Sequence, residues 1–413
     1  MEKPTIVGID VGTTKVCTLV AEFNDDQVFD IRGIGIEPMH GMKKGMINDL
    51  TVATECIARS IEKAQRSSGR EIRTVIVSLA GSHVSSFNSR GVVGVSNGVI
   101  NQADIKRACE AAQAVAIPHN REIIHMIQRS FIVDEQEGIP DPINYHGYRL
   151  ELDAVIITAA ATTVENLRKC VETTGVKINN FVLNPLASGQ VVLTPSEREM
   201  GVMVCDIGGG TSDLAIYINN SVWYTSIINL GGGLITSDIA KGLHLTLDKA
   251  EEIKIKYGHA NKNEIAEGET FTVRPFGEEA AVRYSRKDLA LIIEARVEEI
   301  FQFIVEDIRR SGYDRLLPAG MVLTGGTANL SGIRNIASRV LNLPVRIAQP
   351  DNLNGLADQL YSPAFSTSVG LLHWGNLLKK AELPIGEKTP IWPKDILGRI
   401  KRVLDNFNVE KKE

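Results

Sequence analysis

The sequence of 413 residues has few cysteines and no long apolar run. Its five cysteines lie far apart and form no CxxC pair, which argues against a disulfide framework or a zinc site and favours a reducing cytosol. No apolar stretch reaches the roughly 18 residues that a bilayer-spanning helix needs. The N-terminus, MEKPTIVGID, has no charged segment followed by an apolar one. We therefore expect neither a secretory signal nor a transmembrane helix.

The chain also lacks a strong excess of one charge. It carries 45 Lys and Arg against 50 Asp and Glu, a formal net charge of −5, so we expect no nucleic-acid partner. Its 43% hydrophobic and 23% charged content excludes disordered and collagen-like classes. The length predicts two to four globular domains.

Two common nucleotide-binding motifs are missing. No GxGxxG opens a helix about 20 residues before an acidic partner, which argues against a Rossmann domain. No GK[ST] follows a glycine loop, which argues against a Walker-type site. Glycine is nevertheless enriched, with 36 residues in 413, about 9% against an average near 7%. The positions of these glycines therefore matter.

The first glycine turn follows a predicted strand over residues 5–9, in the sequence GIDVGTTK. A partner strand is predicted over 16–23, so the turn would close a hairpin whose backbone N–H groups point at one place and bind an anion. Glycine permits the close approach of a phosphate, and hydroxyls add donors. Asp10, at the strand end, can hold hydrated Mg²⁺. The candidate phosphate-binding residues are Gly12, Thr13, Thr14 and Lys15. Alone, such a turn is also compatible with an ordinary tight hairpin.

A second copy of this pattern, DIGGGTSD, begins at Asp206. It repeats the strand, aspartate, glycine turn and strand of the first copy, 196 residues later, which fits a duplicated domain rather than a solenoid. Three consecutive glycines weaken an ordinary strand pair, so they favour close contact with a ligand. Two such hairpins would hold a polyphosphate from both sides. The candidates in this copy are Gly208, Gly209, Gly210 and Thr211.

A third glycine loop, LTGGTANLSG, follows a predicted strand over residues 319–324 and precedes a predicted helix over 333–341. Its paired glycines, Gly325 and Gly326, would let a flat ring lie against the backbone. Nucleotide binding by hairpins is therefore the favoured interpretation.

Apolar spacing and turn residues predict the remaining elements. Residues 82–160 behave as a separate unit that begins with a hairpin across 89–99. Helices are predicted over 49–67, 102–115 with Asn101 as cap, 164–173 and 285–310, and strands over 74–79, 122–133, 149–158 and 179–183.

The three glycine motifs, in this order and spacing, resemble the two phosphate loops and the adenosine loop of the actin-like ATPase superfamily. The resemblance implies an α/β fold with duplicated actin-like (ribonuclease-H-like) domains around a nucleotide cleft, with ATP and Mg²⁺ as ligands. Asp10 and Asp206 would organise the magnesium and the attacking water. Glu251 and Lys254 resemble residues of the helix that reaches the ribose; the alternative for them is a solvated ion pair.

A narrower resemblance is to the FtsA family of bacterial cell-division proteins. It rests on REIIHMIQRSFIVDEQEGIPDPINYHGYRLELDAVIIT, which resembles the inserted α+β subdomain of that family, and on SLAGSHVSS, NPLASGQVVL, GGGLITSDIA and EEIKIKYG. The residues after Asp141-Pro142 depart from the family pattern, since they are Ile143-Asn144-Tyr145.

A second departure concerns the chemistry of hydrolysis. Asn184 precedes Pro185, where heat-shock chaperones of the superfamily place a catalytic glutamate. An amide can orient water but cannot accept its proton. We therefore expect weak ATPase activity or none, with ATP acting mainly as a ligand that closes the two halves.

The family resemblance implies a domain map. The ranges are 1–81 and 162–199 with part of 356–378 (subdomain IA), 82–161 (inserted subdomain IC, SHS2-like), 200–236 and 311–355 (IIA), 237–310 (IIB), a linker over 379–392 and a membrane-targeting helix over 393–409.

The C-terminal segment has a composition of its own. Residues 379–413 hold nine basic and six acidic side chains, a net +3, so the rest of the chain carries −8. After the proline-bearing linker, one helical stripe of apolar residues faces away from basic ones, which predicts a helix that lies on an anionic membrane surface. The alternatives are docking on the body or a short coiled coil. The candidate membrane-binding residues are Trp392, Ile396, Leu397, Ile400, Lys401, Arg402, Val403, Leu404 and Phe407.

The resemblance implies an ATP-binding protein that forms filaments with itself and tethers the ring of the tubulin-like protein FtsZ to the cytoplasmic face of the plasma membrane at the division site. The C-terminal tail of FtsZ would dock on residues 237–310, with Arg296 as a candidate contact; the alternative for Arg296 is a surface ion pair. Other divisome proteins are further expected partners. Two rival functions remain, an actin-like scaffold of type IV pilus assembly, whose family lacks this tail, and a small-molecule kinase of the superfamily.

Overall fold

A computed structural model describes residues 5–23 and 28–382. The predicted membrane helix over 393–409 and all nine of its candidate residues lie outside these ranges. The first part of the chain forms most of one sheet and one long helix. Its elements are β1 (Thr5–Val11), β2 (Lys15–Phe23), β3 (Phe29–Pro38), β4 (Met42–Lys43), β5 (Met46–Ile47), α1 (Leu50–Ser68) and β6 (Thr74–Leu79).

Helix α1 shows how local sequence sets these bounds. Asp49 accepts a hydrogen bond from the Val52 N–H at 3.1 Å, and Gly69 ends the helix in the left-handed conformation with φ of +65°. The helix lies close against β3 because position 35 is glycine, where a Cβ would stand 1.8 Å from the Ser60 carbonyl oxygen. The predicted helix over 49–67 is confirmed.

The inserted unit is a four-stranded sheet covered by one helix. Its elements are β7 (Ser85–Gly94), α2 (Gln102–Gln113), β8 (Arg121–Val133), β9 (Gln136–Ile139) and β10 (Arg149–Ala160). The strand order is β7-β10-β8-β9. Asn101 caps α2 in a capping box with Asp104, as predicted.

The predicted hairpin across residues 89–99 is wrong. Strand β7 pairs antiparallel with β10, with Ser89 opposite Ala154. The turn after Gly94 leads Val99 into an isolated bridge with His146 rather than back along β7. The glycine and serine residues there mark a turn correctly, but a strand from about sixty residues later supplies the partner.

The chain then returns to the first sheet. The next elements are α3 (Ala161–Glu172), β11 (Lys177–Leu183), α4 (Asn184–Val192) and α5 (Pro195–Met200). Strand β11 pairs parallel with β6, and β6 pairs parallel with β1, whereas β1, β2 and β3 form an antiparallel meander.

The second half of the chain builds a sheet of the same design. Its elements are β12 (Val202–Ile207), β13 (Ser212–Ile218), β14 (Ser221–Ile228), α6 (Gly232–Gly242), α7 (Leu247–Tyr257), β15 (Thr270–Val273), β16 (Val282–Ser285), α8 (Arg286–Ser311), β17 (Met321–Thr324), α9 (Ile333–Leu341) and β18 (Val345–Ile347). The order β14-β13-β12-β17-β18 places an antiparallel meander beside parallel strands, as in the first sheet. The predicted duplicated actin-like architecture is confirmed.

The last elements join the two halves. Strand β19 (Leu353–Gly355) pairs parallel with β3, so the chain returns to the first sheet there. Helix α10 (Ser366–Glu382) follows. It lies close to α4, because Gly370 faces the Ala187 carbonyl oxygen at a distance that no Cβ could occupy. None of the helices in the described ranges is long and apolar enough to cross a bilayer. All five cysteines are buried, and none forms a disulfide bond.

Candidate functional site

The two glycine hairpins have the same backbone geometry. The Gly12 N–H donates to the Lys15 carbonyl oxygen at 3.0 Å, and the Gly208 N–H donates to the Thr211 carbonyl oxygen at 2.9 Å. In the sheets, Asp10 stands opposite Cys17, and Asp206 stands opposite Asp213. The repeat seen in the sequence is therefore a repeat of hydrogen bonds.

The two hairpins meet tip to tip. A Cβ on Gly209 would lie 2.3 Å from Thr14 Cγ2, and a Cβ on Gly210 would lie 2.5 Å from Thr13 Oγ1. Any side chain at either glycine would push the first hairpin away. The structure thus brings together the residues of both predicted phosphate loops.

Lys15 places a positive charge between the two halves. Its Nζ donates to the Ala364 carbonyl oxygen at 2.6 Å and lies 3.3 Å from the centre of the Phe365 ring. Burial lowers the pKa of Lys15, while the nearby charges of Asp10 and Asp206 act in the opposite direction. The ammonium group is available to balance negative charge in the cleft.

Asp10 and Asp206 are both buried, with 7% exposure each. Ser78 and Ser368 donate hydroxyl hydrogen bonds to Asp10, at 3.0 and 2.7 Å. Thr367 donates to Asp206 Oδ2 at 2.7 Å. Burial, together with the charge of Asp10, raises the pKa of Asp206 to about 6, although the Thr367 hydrogen bond acts in the opposite direction. The first turn of α10 therefore holds the carboxylates of both halves.

Asp213 is a third acid of the site, and it is missing from the sequence-based candidates. Its Oδ2 accepts from Asn184 Nδ2 at 3.2 Å and from Thr211 Oγ1 at 3.4 Å. Burial, with the nearby charge of Asp206, raises its pKa well above the usual value. Comparing the two copies would have found this residue, because the second copy has an acid where the first has Cys17.

The third glycine loop lies against the second hairpin. Gly325 has φ of +87°, and a Cβ there would stand 2.3 Å from Asp206 Oδ1. Thr327 Oγ1 donates to the Gly208 carbonyl oxygen at 2.9 Å. Helix α6 begins at the same place, since the N–H groups of Gly232 and Gly233 donate to the hairpin carbonyl oxygens at 2.9 and 2.8 Å.

Glu251 and Lys254 form the ion pair that their spacing allows, at 2.7 Å. Lys254 is largely buried, however, and its Nζ also donates to the Gly232 carbonyl oxygen at 3.2 Å and to Thr236 Oγ1 at 2.9 Å. The pair therefore fixes the first turn of α6 beside the second hairpin. Its contact with a ribose stays a prediction.

The site offers oxygen ligands of the kind that magnesium prefers. Asp213 Oδ1 and Asn184 Oδ1 are buried and have no hydrogen-bond partner among the described residues. Within those residues, no group of three or more His, Cys, Asp and Glu side chains forms a ready-made metal cage. Magnesium commonly uses one or two carboxylates together with water and phosphate oxygens. The residues present fit a hydrated cation held jointly with a phosphate.

Arg296 lies on α8, a quarter exposed, and forms ion pairs with Asp238 and Glu299. These contacts agree with the alternative interpretation, in which Arg296 belongs to a surface ion pair. Whether it also binds a partner stays a prediction.

Comparisons with known proteins show which family the chain belongs to. A sequence model described as "Cell division protein FtsA" matches residues 203–370, and one described as "SHS2 domain inserted in FTSA" matches residues 81–158. A cell division protein FtsA of Neisseria meningitidis serogroup B is 40% identical over 403 residues, which cover 96% of this chain and 97% of the relative. The chain belongs to the FtsA family. This membership agrees with the resemblance found in the sequence.

Solved structures of other proteins share the fold of this chain. A type IV pilus PilM–PilN complex matches with a TM-score of 0.66 and 16% identity, over 91% of this chain and 99% of the other. MreB5 of Spiroplasma citri bound to ADP matches with a TM-score of 0.55 and 14% identity, over 91% and 97%. A MamK double helical filament matches with a TM-score of 0.53 and 11% identity, over 92% and 99%. At these identities the likeness establishes the actin-like fold alone.

Proposed function

We propose that this FtsA-family chain binds ATP with Mg²⁺ between its two glycine hairpins. The observation that carries the proposal is the contact of Gly209 and Gly210 with Thr14 and Thr13, which gathers backbone N–H groups from both halves at one place. The partly buried cation Lys15 supports it, as do Asp213 Oδ1 and Asn184 Oδ1, which have no hydrogen-bond partner among the described residues. The ADP-bound MreB5 structure supports it at the level of the fold.

The residues of the site suit slow hydrolysis. Magnesium, when bound, would neutralise phosphate charge, and Asp10 and Asp206 are the residues that would hold its water shell. Asn184 can orient a water through its free Oδ1 but cannot accept a proton. Asp213 beside it is a carboxyl group whose raised pKa favours the protonated form, so it is a poor base until a cation lowers that pKa.

Isothermal titration of the full chain with ATP, with and without Mg²⁺, tests this proposal. We expect saturable binding that weakens without the metal and weakens again in Lys15→Met, because that variant removes the buried positive charge. Lys249→Met is the matched control, since Lys249 forms an exposed pair with Glu252 on α7. Unchanged affinity in Lys15→Met would contradict the role of this cation.

We further propose that the chain forms filaments and tethers FtsZ to the cytoplasmic membrane through residues 393–409. The apolar stripe in the sequence and the +3 charge of the last 35 residues support the membrane step. Partial burial of six apolar side chains, each worth about 1.5–3 kcal/mol when fully buried, makes one helix marginal, so a filament would bind by avidity. The MamK filament supports self-association at the level of the fold.

Vesicle co-sedimentation tests the tether. Leu397→Glu together with Leu404→Glu should abolish binding to vesicles that contain anionic lipid, because both positions lie on the apolar stripe. Asn406→Glu combined with Asn408→Glu adds the same charge to the segment and leaves the apolar stripe intact, so it should retain most binding. Equal loss in the two double variants would contradict an amphipathic helix.

We propose that the FtsZ tail docks on residues 237–310. Titrating a labelled peptide of that tail into the full chain tests this, with Arg296→Ala compared with Arg309→Ala on the exposed end of the same helix. We expect weaker binding only in Arg296→Ala. If the peptide bound the unmodified chain and both variants with equal affinity, Arg296 would not be part of the contact.

A further inference from the structure

A cavity of about 350 Å³ lies apart from the glycine hairpins, where three parts of the chain meet. The inserted unit contributes β8, the first half contributes β11 and helices α3, α4, α5 and α10, and the second half contributes β13 and β14. Cavities that bind small molecules span roughly 300–1,000 Å³, so this one is large enough for a ligand. None of the predicted nucleotide-binding residues lines it.

One residue of the lining, Arg198, forms no ion pair with a carboxylate among the described residues. Arg198 is only 6% exposed. Its Nη2 donates to the Gly189 carbonyl oxygen at 2.5 Å, its Nη1 donates to Gln190 Oε1 at 3.3 Å, and its guanidinium carbon lies 5.3 Å from the centre of the Tyr217 ring. The neighbouring acid, Glu197, pairs with Arg346 instead, at 2.6 Å.

Burying the positive charge of Arg198 costs free energy unless a negative charge or further hydrogen bonds offset it. Buried charges are normally paired, because burial in a low dielectric penalises the charged form. The guanidinium group has five N–H donors, and the two hydrogen bonds of Arg198 leave three of them for another acceptor. The free donors and the missing counter-charge both indicate an anionic ligand.

The other ionisable groups of the lining do not supply that counter-charge. Glu122 and Arg168 have opposite charges and interact with each other. His125 Nε2 accepts the Leu183 N–H at 3.2 Å, which leaves the ring proton on Nδ1. Burial lowers the pKa of His125 to about 4, so its ring is neutral at pH 7. Among the described residues, Arg198 therefore forms no ion pair with a carboxylate, and burial opposes its charge although nearby Glu197 partly favours it.

The remaining lining is suited to an apolar body. The ring of Trp374 lies 5.7 Å from the ring of His125. Its indole N–H already donates to the Leu186 carbonyl oxygen at 3.1 Å, so the ring offers mainly its apolar surface. The aliphatic residues of the lining include Ile127, Val182, Leu186, Val222 and Leu378.

We propose that this cavity binds a small amphiphilic carboxylate, with the acid group on Arg198 and the apolar chain against Trp374 and the aliphatic lining. Because elements of both halves and of the inserted unit line the cavity, the ligand would contact all three. The proposal is independent of nucleotide binding in the cleft.

Isothermal titration of the full chain with decanoate and with decan-1-ol tests the proposal. The two probes have the same chain length and differ in the anionic head. We expect decanoate to bind at least about tenfold more tightly, because it alone forms charge-assisted hydrogen bonds with the guanidinium group. In Arg198→Met the two affinities should become equal, whereas Arg309→Met, which removes an exposed arginine, should keep the preference.

A second variant tests the proposal even if Arg198→Met does not fold. Asn180→Trp places a large ring in the lining and leaves Arg198 in place, so binding of both probes should be lost while the thermal unfolding temperature is kept. Four outcomes would overturn the proposal: equal affinities in the unmodified chain, no binding of decanoate to it, a decanoate preference that survives in Arg198→Met, or unchanged binding in Asn180→Trp.

Discussion

The two glycine hairpins share a backbone and differ in their side chains. The first presents Thr13 and Thr14 at its tip and pairs Asp10 with Cys17, whereas the second presents Gly209 and Gly210 and pairs Asp206 with Asp213. The bulky tip of one copy thus fits against the bare backbone of the other. The second copy carries the extra acid Asp213, and the first carries the cation Lys15. The difference indicates that the two halves act as complementary parts of one site.

The largest effect should come from adding a side chain at the tip of the second hairpin, where the first hairpin lies against bare backbone. Gly210→Val places atoms where Thr13 Oγ1 already lies, at 2.5 Å from an ideal Cβ. Forcing the tips apart costs about 3 kcal/mol, which corresponds to roughly 100-fold weaker ATP binding. Calorimetric titration measures it. Gly94→Val, at an exposed glycine with open space around it, is the control, and equal losses in both variants would refute the tip contact.

The raised pKa of Asp206 should make the stability of the folded protein depend on pH. Burial raises the pKa of Asp206 from 3.8 to about 6, so the folded ligand-free protein binds more protons than the unfolded chain between these values. Its stability should therefore fall as pH rises from about 4 to above 6, by up to about 3 kcal/mol. Urea denaturation across this range tests it. Asp206→Asn should flatten the fall, and an unchanged pH profile in that variant would contradict the shift.

The additional acid of the second copy should cost stability in the absence of ligand. Asp213 is buried, and its Oδ1 has no hydrogen-bond partner among the described residues. Asp213→Asn removes a carboxyl group whose ionisation burial opposes, so we expect it to raise the free energy of unfolding at pH 8 by about 1 kcal/mol and to weaken Mg²⁺-dependent ATP binding. Chemical denaturation and titration measure the two effects. A destabilised variant with intact Mg²⁺ dependence would argue for a structural role.

The hydroxyls of α10 should have smaller effects. Thr367 donates to Asp206 and Ser368 donates to Asp10, each at 2.7 Å. Thr367→Ala and Ser368→Ala should each lower the free energy of unfolding by about 1–2 kcal/mol, because a charged acceptor loses a buried donor. Thermal unfolding checks this. Thr367→Ala should also shift the pH profile of Asp206 upward, because the Thr367 hydrogen bond lowers the pKa of that carboxyl group.

The sequence predicts the two glycine hairpins and the helices α1, α2, α3, α8 and α9 well. Their signals are local, because strand, aspartate, glycine turn and strand lie within about sixteen residues of each other. The cap at Asn101 and the C-terminal glycine at Gly69 are equally local signals. The hairpin across 89–99 failed because strand pairing depends on a partner that the local turn does not identify.

The candidate site was predicted in part. Asp10, Asp206 and the glycines were found from the repeat, but Asp213 was not, although its position opposite Cys17 carries the information. Ser78, Thr367 and Ser368 carry no local signal, because serine and threonine at a strand end or in a first helical turn are common.

The sequence by itself determined the duplicated design, the glycine turns and the family. Backbone hydrogen bonds within a hairpin depend on neighbouring residues, so a short motif is enough to fix them. The tertiary structure decided which hairpin tip meets which and how α10 supplies a hydroxyl to each of two aspartates. It also decided that Arg198 lies buried without a carboxylate partner among the residues that the structure describes. Those contacts join residues up to 358 positions apart. They arise when the two sheets pack around α10, because only packing decides which distant polar groups are removed from water together.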